Sequence, residues 1–182
     1  MIEILLTLSV MVIGMWAMLD LHTRLQVSEF EAYQRTQALA LLDDMANRIM
    51  ANRKEAAAYV TDSVRGIGTL PCSNPAESST LVAHDQAEWC QALRGSAVGR
   101  LDEAARIIAG RGCVEAVGGL LEEEYLVTVV WQGATPLAQP PATLSCGKDQ
   151  YNQPADSSCA DSDDRCRRYV STLVHIASLS AG

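Results

Sequence analysis

The first nineteen residues, MIEILLTLSVMVIGMWAML, hold one charge, Glu3, before Asp20 closes the run. At about 1.5 Å per helical residue such a run reaches close to 30 Å, the thickness of a bilayer's hydrocarbon core. One small domain cannot cover a helix that is apolar nearly all round. The segment must therefore go to a membrane or to other chains. A secretory signal peptide would put a basic flank before a shorter apolar core and a small-residue cleavage site after it. The chain has neither, and DLHTRLQVSEFEAYQ continues in a helical pattern. An uncleaved anchor fits better. Its carboxylate needs a reason, because a charge inside hydrocarbon costs a few kcal/mol. Near the helix start Glu3 can reach the interface, and it suits the positive end of the helix dipole.

The helix does not stop at the membrane edge. No Pro occurs before Pro71, and Gly14 is the only Gly before Gly66. Apolar residues recur at helical spacing: Leu21 and Leu25, then Leu39, Leu42, Met45 and Ile49. Arg24, Glu31, Arg35, Asp44 and Arg48 take other faces. The pattern predicts one helix over 1–53, membrane- or fibre-embedded over 1–20 and amphipathic over 21–53. Residues 54–182 form a separate α+β head. The second half of the helix is expected to pack its Leu39, Leu42, Met45 and Ile49 face on that head.

All six cysteines (Cys72, Cys90, Cys113, Cys146, Cys159 and Cys166) lie in the head. An even set confined to one region reads as a disulfide framework in an oxidising compartment, which puts the head on the periplasmic or extracellular side. A metal site is the rival reading, but no CxxC occurs and His22, His84 and His175 are far apart. Formal net charge is −8, which repels phosphate backbones and argues against nucleic acid as a partner.

Within the head, TLPCSNPAESST is turn-rich, and HDQAEWCQALRGS reads as a short helix with Trp89, Ala92 and Leu93 on one side. VGRLDEAARIIAGRG predicts another, with Leu101, Ala105 and Ile108, ended by Gly110 and Gly112. EEEYLVTVVWQG alternates as a strand, with Tyr125, Val127, Val129 and Trp131 on one face. RRYVSTLVHIASL does the same with Val170, Thr172, Val174 and Ile176. The long connection between the two strands needs staples, which Cys146, Cys159 and Cys166 can supply.

Catalytic patterns are sparse. There is no GxSxG, phosphate loop or HExxH. DSDD (Asp161 to Asp164) lacks the Gly and closing Glu of a calcium loop and reads as a solvated acidic loop. His84 and Asp85 are read as part of a helix N-terminal loop, Glu122 to Glu124 as a solvated strand start, and Trp89 and Trp131 as core. No catalytic residue, cofactor or metal is expected, and the chain is read as a non-enzyme.

MIEILLTLSVMVIGMWAMLDLHTRL resembles the N-terminal helix of type IV pilins. QALALLDDMANRIMANR, AEWCQALRG, RGCVEAVGG, VTVVWQG, CGKDQY and RRYVSTLVHIASL are similar, in order, to the PilV-type minor pilins. The resemblance implies the pilin fold: a long N-terminal helix packed on a small antiparallel sheet with disulfide-stapled loops. It implies a prepilin peptidase acting near Met1 and Ile2, with the mature start just upstream of Met1. It implies a single-pass inner-membrane protein that joins the pilus at low copy, in a tip or priming complex with other minor pilins, the major pilin and the assembly machinery. In the family the Glu matched by Glu3 neutralises the N-terminal amine of a neighbouring subunit. Two alternatives stay open: a minor pseudopilin of a type II secretion system, and a membrane-anchored periplasmic binding or enzymatic domain.

Six cysteines allow fifteen connectivities. Local pairing is expected: Cys72 with Cys90, Cys113 with Cys146, and Cys159 with Cys166. The middle pair is the open one, since Cys159 or Cys166 can reach either of its members.

Overall fold

A computed structural model describes residues 2–61, 64–68, 71–95, 107–118, 123–153, 157–160 and 163–177. Helix α1 runs Ile2–Ala51, with Glu3 in its first turn and Arg48 in its last, each suited to that end of the helix dipole. The chain's contacts divide after Tyr33 into two units, Met1–Tyr33 and Gln34–Gly182.

The first unit is helix alone. Its large apolar residues are exposed, Ile2 at 82% and Trp16 at 76%. Mean hydropathy over its most apolar window is 2.1, and α1 is the one helix among the described residues long and apolar enough to cross a membrane. The hydroxyls of its apolar run are turned inward along the backbone. Thr7 Oγ1 donates to the carbonyls of Glu3 and Ile4, and Ser9 Oγ donates to that of Leu5. Hydroxyls satisfied this way present no unpaired donor to an apolar surrounding. Charge returns at the exposed Arg24–Asp20 pair, 3.1 Å apart.

The second unit is the α+β head together with the last turns of α1. Two 3-10 turns (Arg53–Tyr59 and Pro75–Glu77) lead to helix α2, Leu81–Leu93. Thr80 caps α2, its Oγ1 accepting from the Ala83 N–H at 3.1 Å. Strands β1 (Arg111–Ala116), β2 (Glu123–Gln132) and β3 (Arg167–Ile176) form one antiparallel sheet in the order β1-β2-β3.

One face of the sheet meets α1 and α2. Val127, Val129, Trp131, Val170 and Val174 share a core with Ala38, Leu42, Met45, Ala46 and Ile49. Leu39 is not part of it: at 42% exposed it points away, and Ala38 and Ala46 take the inner positions instead. Packing also starts later than the amphipathic pattern suggests, since residues 21–29 are exposed and burial begins in earnest at Gln34. The other face is covered too. Val130 packs with Cys113, Cys146 and Tyr151, so the part of the connecting loop around Cys146 and Tyr151 forms a second layer there.

Two sequence readings need correction. Gly112 does not end a helix; it lies in β1, which the sequence reading did not predict. The helix expected over 98–112 falls mostly outside the described residues, and within it Ile108 sits in a turn. The reason for glycine at 112 is contact. A Cβ there would lie 2.1 Å from the Trp89 ring.

Candidate functional site

Glu3 lies on the exposed first turn of α1, flanked by Ile2 and Ile4. Met1 lies outside the described residues. Within the first unit Glu3 is the only acidic residue before Asp20, and no described side chain of the apolar run offers it a cation. The arrangement is an apolar cylinder with one carboxylate at its beginning. Chemically it can do one thing well: bury the cylinder among other apolar surfaces and use the carboxylate to hold a cation there.

The head is cross-linked within itself. Three disulfides join Cys72–Cys90, Cys113–Cys146 and Cys159–Cys166, with S–S distances of 1.99, 2.03 and 1.96 Å. The first ties the turn-rich connection to α2. The second ties β1 to the covering loop, and the third closes a short loop just before β3. Each constrains the unfolded chain and contributes about 2–4 kcal/mol.

Arginines staple the same loop. Arg165 Nε donates to the Leu137 carbonyl at 3.0 Å, and Arg167 Nη1 to those of Leu144 and Cys146 at 3.0 and 2.6 Å. Arg168 Nη2 donates to the Thr135 carbonyl at 2.7 Å. Of the three arginines in RCRR, Arg167 is buried, while Arg165 and Arg168 hold the loop from the surface. Asp164 belongs to this layer. It is 3% exposed, pairs with Arg167 at 3.2 Å, and accepts from the Asp149 N–H at 2.8 Å. The solvated-loop reading therefore fails for Asp164, because the loop folds onto Arg167. Asp161 and Ser162 lie outside the described residues.

A polar cluster locks α1 to α2. Arg48 reaches Asp44 at 3.0 Å, Asp85 at 2.8 Å and Glu88 at 2.7 Å. Tyr59 donates its hydroxyl to Asp85 at 2.5 Å, and Asn52 donates to the Tyr59 oxygen at 3.3 Å. Burial, and then the Asp85 carboxylate, push the Tyr59 hydroxyl up to about 12. The hydrogen bond from Arg48 holds Glu88 below the ordinary carboxylate range. His84 and Asp85 are residues of α2, not of a loop before it. His84 contacts the Pro75 carbonyl at 3.0 Å and Glu88 at 3.2 Å. This cluster sets the angle between two helices. Trp89 completes the joint, buried completely, with its indole N–H donating to the Leu41 carbonyl at 2.9 Å.

Glu124 pairs with His175 at 2.8 Å across β2 and β3, and Glu122 lies outside the described residues. A cleft of about 630 Å³ opens beside the Cys72–Cys90 bond, lined by Gly66, Ile67, Asn74, Glu77 and Gln86 among others. Among the described residues, no group of three or more His, Cys, Asp and Glu is placed to hold a metal ion.

Compared with known proteins, the chain matches no family model, no curated protein and no solved structure.

Proposed function

We propose that the chain is a minor pilin of the type IV pilus: a low-copy structural subunit held in the inner membrane by α1 and then transferred into a fibre, in a complex that primes assembly at the tip. The observation that carries this reading is the exposed apolar cylinder of α1 with Glu3 in its first turn.

A plain membrane anchor needs the apolar length and has no use for the carboxylate. A fibre subunit needs both. In the membrane Glu3 sits close enough to the surface to keep its water. Packed among the helices of other subunits it loses that water and needs a cation, since an unpaired buried charge is strongly unfavourable. The N-terminal ammonium of a neighbouring subunit meets that need and fixes how far one helix slides past the next. The pilin layout of helix, small sheet and stapled loops agrees with the α+β head, whose core holds the inner face of α1.

The test is location. Under piliating conditions the wild-type chain is expected in the fibre fraction sheared from cells, and it should leave that fraction when the major pilin is deleted. A chain that stays in the membrane fraction while fibres form would overturn the reading. A chain found instead with a secretion system's short fibre would favour the pseudopilin alternative.

A further inference from the structure

The two edges of the sheet are treated differently. Along β1 the chain covers its own edge. Ile67 bridges to Gly112, and Thr61 donates its N–H to the Val114 carbonyl at 3.0 Å while its hydroxyl accepts from the Val114 N–H at 3.0 Å. Along β3 no strand pairs with the outer side among the described residues.

Folded proteins blunt a free edge with prolines, charges, bulges or short length. β3 uses none of these between Tyr169 and Val174. It is ten residues long, and its middle reads YVSTLV. Its register on β2 is continuous from Arg167 opposite Gln132 to Ile176 opposite Glu123. Such an edge is a row of backbone donors and acceptors of fixed spacing, and its natural occupant is another strand.

The side chains say which strand. Val170 and Val174 face the core, while Tyr169, Ser171 and Leu173 face outward. Tyr169 is 39% exposed and Leu173 42%, and they stand two positions either side of Ser171. An antiparallel copy of the same strand, with Ser171 opposite Ser171, sets each Tyr169 against the other copy's Leu173 on one face. On the other face it sets Val170 against Thr172. Aromatic–aliphatic cross-strand pairs of this kind stabilise antiparallel sheets. Neighbouring registers lose the Tyr169–Leu173 pair. Centring on Val170 puts Arg167 against Leu173, and centring on Thr172 puts His175 against Tyr169. In the Ser171-centred register the flanks set Arg168 against Val174 and Arg167 against His175; Arg168 is held by the Thr135 carbonyl, Arg167 by Asp164 and His175 by Glu124.

We propose that β3 is a self-pairing edge, through which two copies of this chain join about a two-fold axis at Ser171 into one continuous sheet. The interface is isologous, so one self-complementary strand suffices. Two strands meeting edge to edge bury less than the roughly 1,200 Å² of a standard stable interface. The pair is therefore weak in dilute solution. It forms where the chains are held at high local concentration, as on one membrane.

The test uses the full chain in membranes, before any fibre is made, so its outcome is separate from that of the pilus reading. All native cysteines are in disulfides, so Ser171→Cys introduces a single thiol. Directly opposed Cα atoms in an antiparallel pair lie about 4.5–5.5 Å apart, within a disulfide's reach. Under mild oxidation Ser171→Cys should give a covalent dimer about tenfold faster or more than Ser79→Cys, an exposed control off the sheet. Adding Leu173→Asp to Ser171→Cys should abolish the dimer while non-reducing peptide mapping still shows the three native bonds. Equal rates at positions 171 and 79, or no dimer from a folded Ser171→Cys chain, would overturn the proposal. So would a dimer indifferent to Leu173→Asp. An adduct with a different protein would also overturn it, by showing that a foreign strand takes this edge.

Discussion

Gly112→Ala should destabilise the head by more than its single methyl suggests. The added Cβ would lie 2.1, 2.5 and 2.6 Å from three carbons of the Trp89 ring, where ordinary contact needs well over 3 Å. Neither side can yield cheaply. Gly112 is held in β1 by the Ile67 bridge, with N–H···O distances of 2.9 and 2.7 Å in the two directions. Trp89 is completely buried and tied to the Leu41 carbonyl. Overpacking of this kind costs about 1–3 kcal/mol. Losing the indole hydrogen bond as the ring is displaced adds about 1 kcal/mol. A total of about 2–4 kcal/mol should lower Tm by about 5–15 °C. Thermal and denaturant unfolding of the head, followed by tryptophan fluorescence, reads this directly. Trp89→Leu supplies a second check. Combined with Gly112→Ala it should cost less than the sum of the two single changes, because the smaller side chain removes the clash. An unchanged melt for Gly112→Ala, or strict additivity with Trp89→Leu, would refute the account of this joint.

Leu42→Asp should unfold the head, since Leu42 is 3% exposed and the new carboxylate would be buried without a partner, whereas replacing Arg35 or the half-exposed Leu39 should cost less than about 1 kcal/mol by chemical denaturation. Burial and the Asp85 carboxylate push the Tyr59 hydroxyl up to about 12 in the folded head, against about 10 for an unperturbed tyrosine. A raised value means its contribution is complete below pH of about 10 and is lost as pH rises toward about 12, and Tyr59→Phe should flatten that part of a stability-versus-pH curve. Non-reducing peptide mapping should recover Cys72–Cys90, Cys113–Cys146 and Cys159–Cys166, and six thiols reactive before reduction would refute both the pairing and the oxidising compartment. A fragment lacking Met1 to Arg24 should be soluble and keep those three bonds in dilute solution, because the residues it loses are exposed in the first unit.

The parts of the fold with strong period were legible in the sequence. β2 and β3 alternate cleanly, and the faces read from Tyr125, Val127, Val129 and Trp131 and from Val170 and Val174 are the faces that meet the helices. The apolar run of α1 was equally plain. What stayed hidden lacked period or looked ordinary. β1 is six residues, RGCVEA, with a glycine and a cysteine where alternation would be sought. Its glycine is dictated by Trp89, a contact from an element about twenty residues earlier. Leucine spacing points Leu39 inward, yet the helix turns Ala38 and Ala46 to the core, and alanine is too common on both faces to signal which. The Arg48 cluster is scattered in the sequence, since Asp85 and Glu88 meet Arg48 only where α2 packs on α1, while Asp44 is its neighbour one turn back on α1. Glu3 is the reverse case. Its position in the sequence carries the functional reading, and among the described residues of the apolar run no side chain offers it a cation.

Glu3→Ala is the most direct measurement of that reading. The substitution removes one carboxylate from an exposed first turn and leaves the apolar length of α1 unchanged. Membrane fractions and sheared fibres from the same cells would be probed for the chain. The account predicts wild-type amounts in the membrane and a strong loss from the fibres, because only the packed state needs the charge pair. Incorporation of Glu3→Ala into fibres at the wild-type level would contradict it.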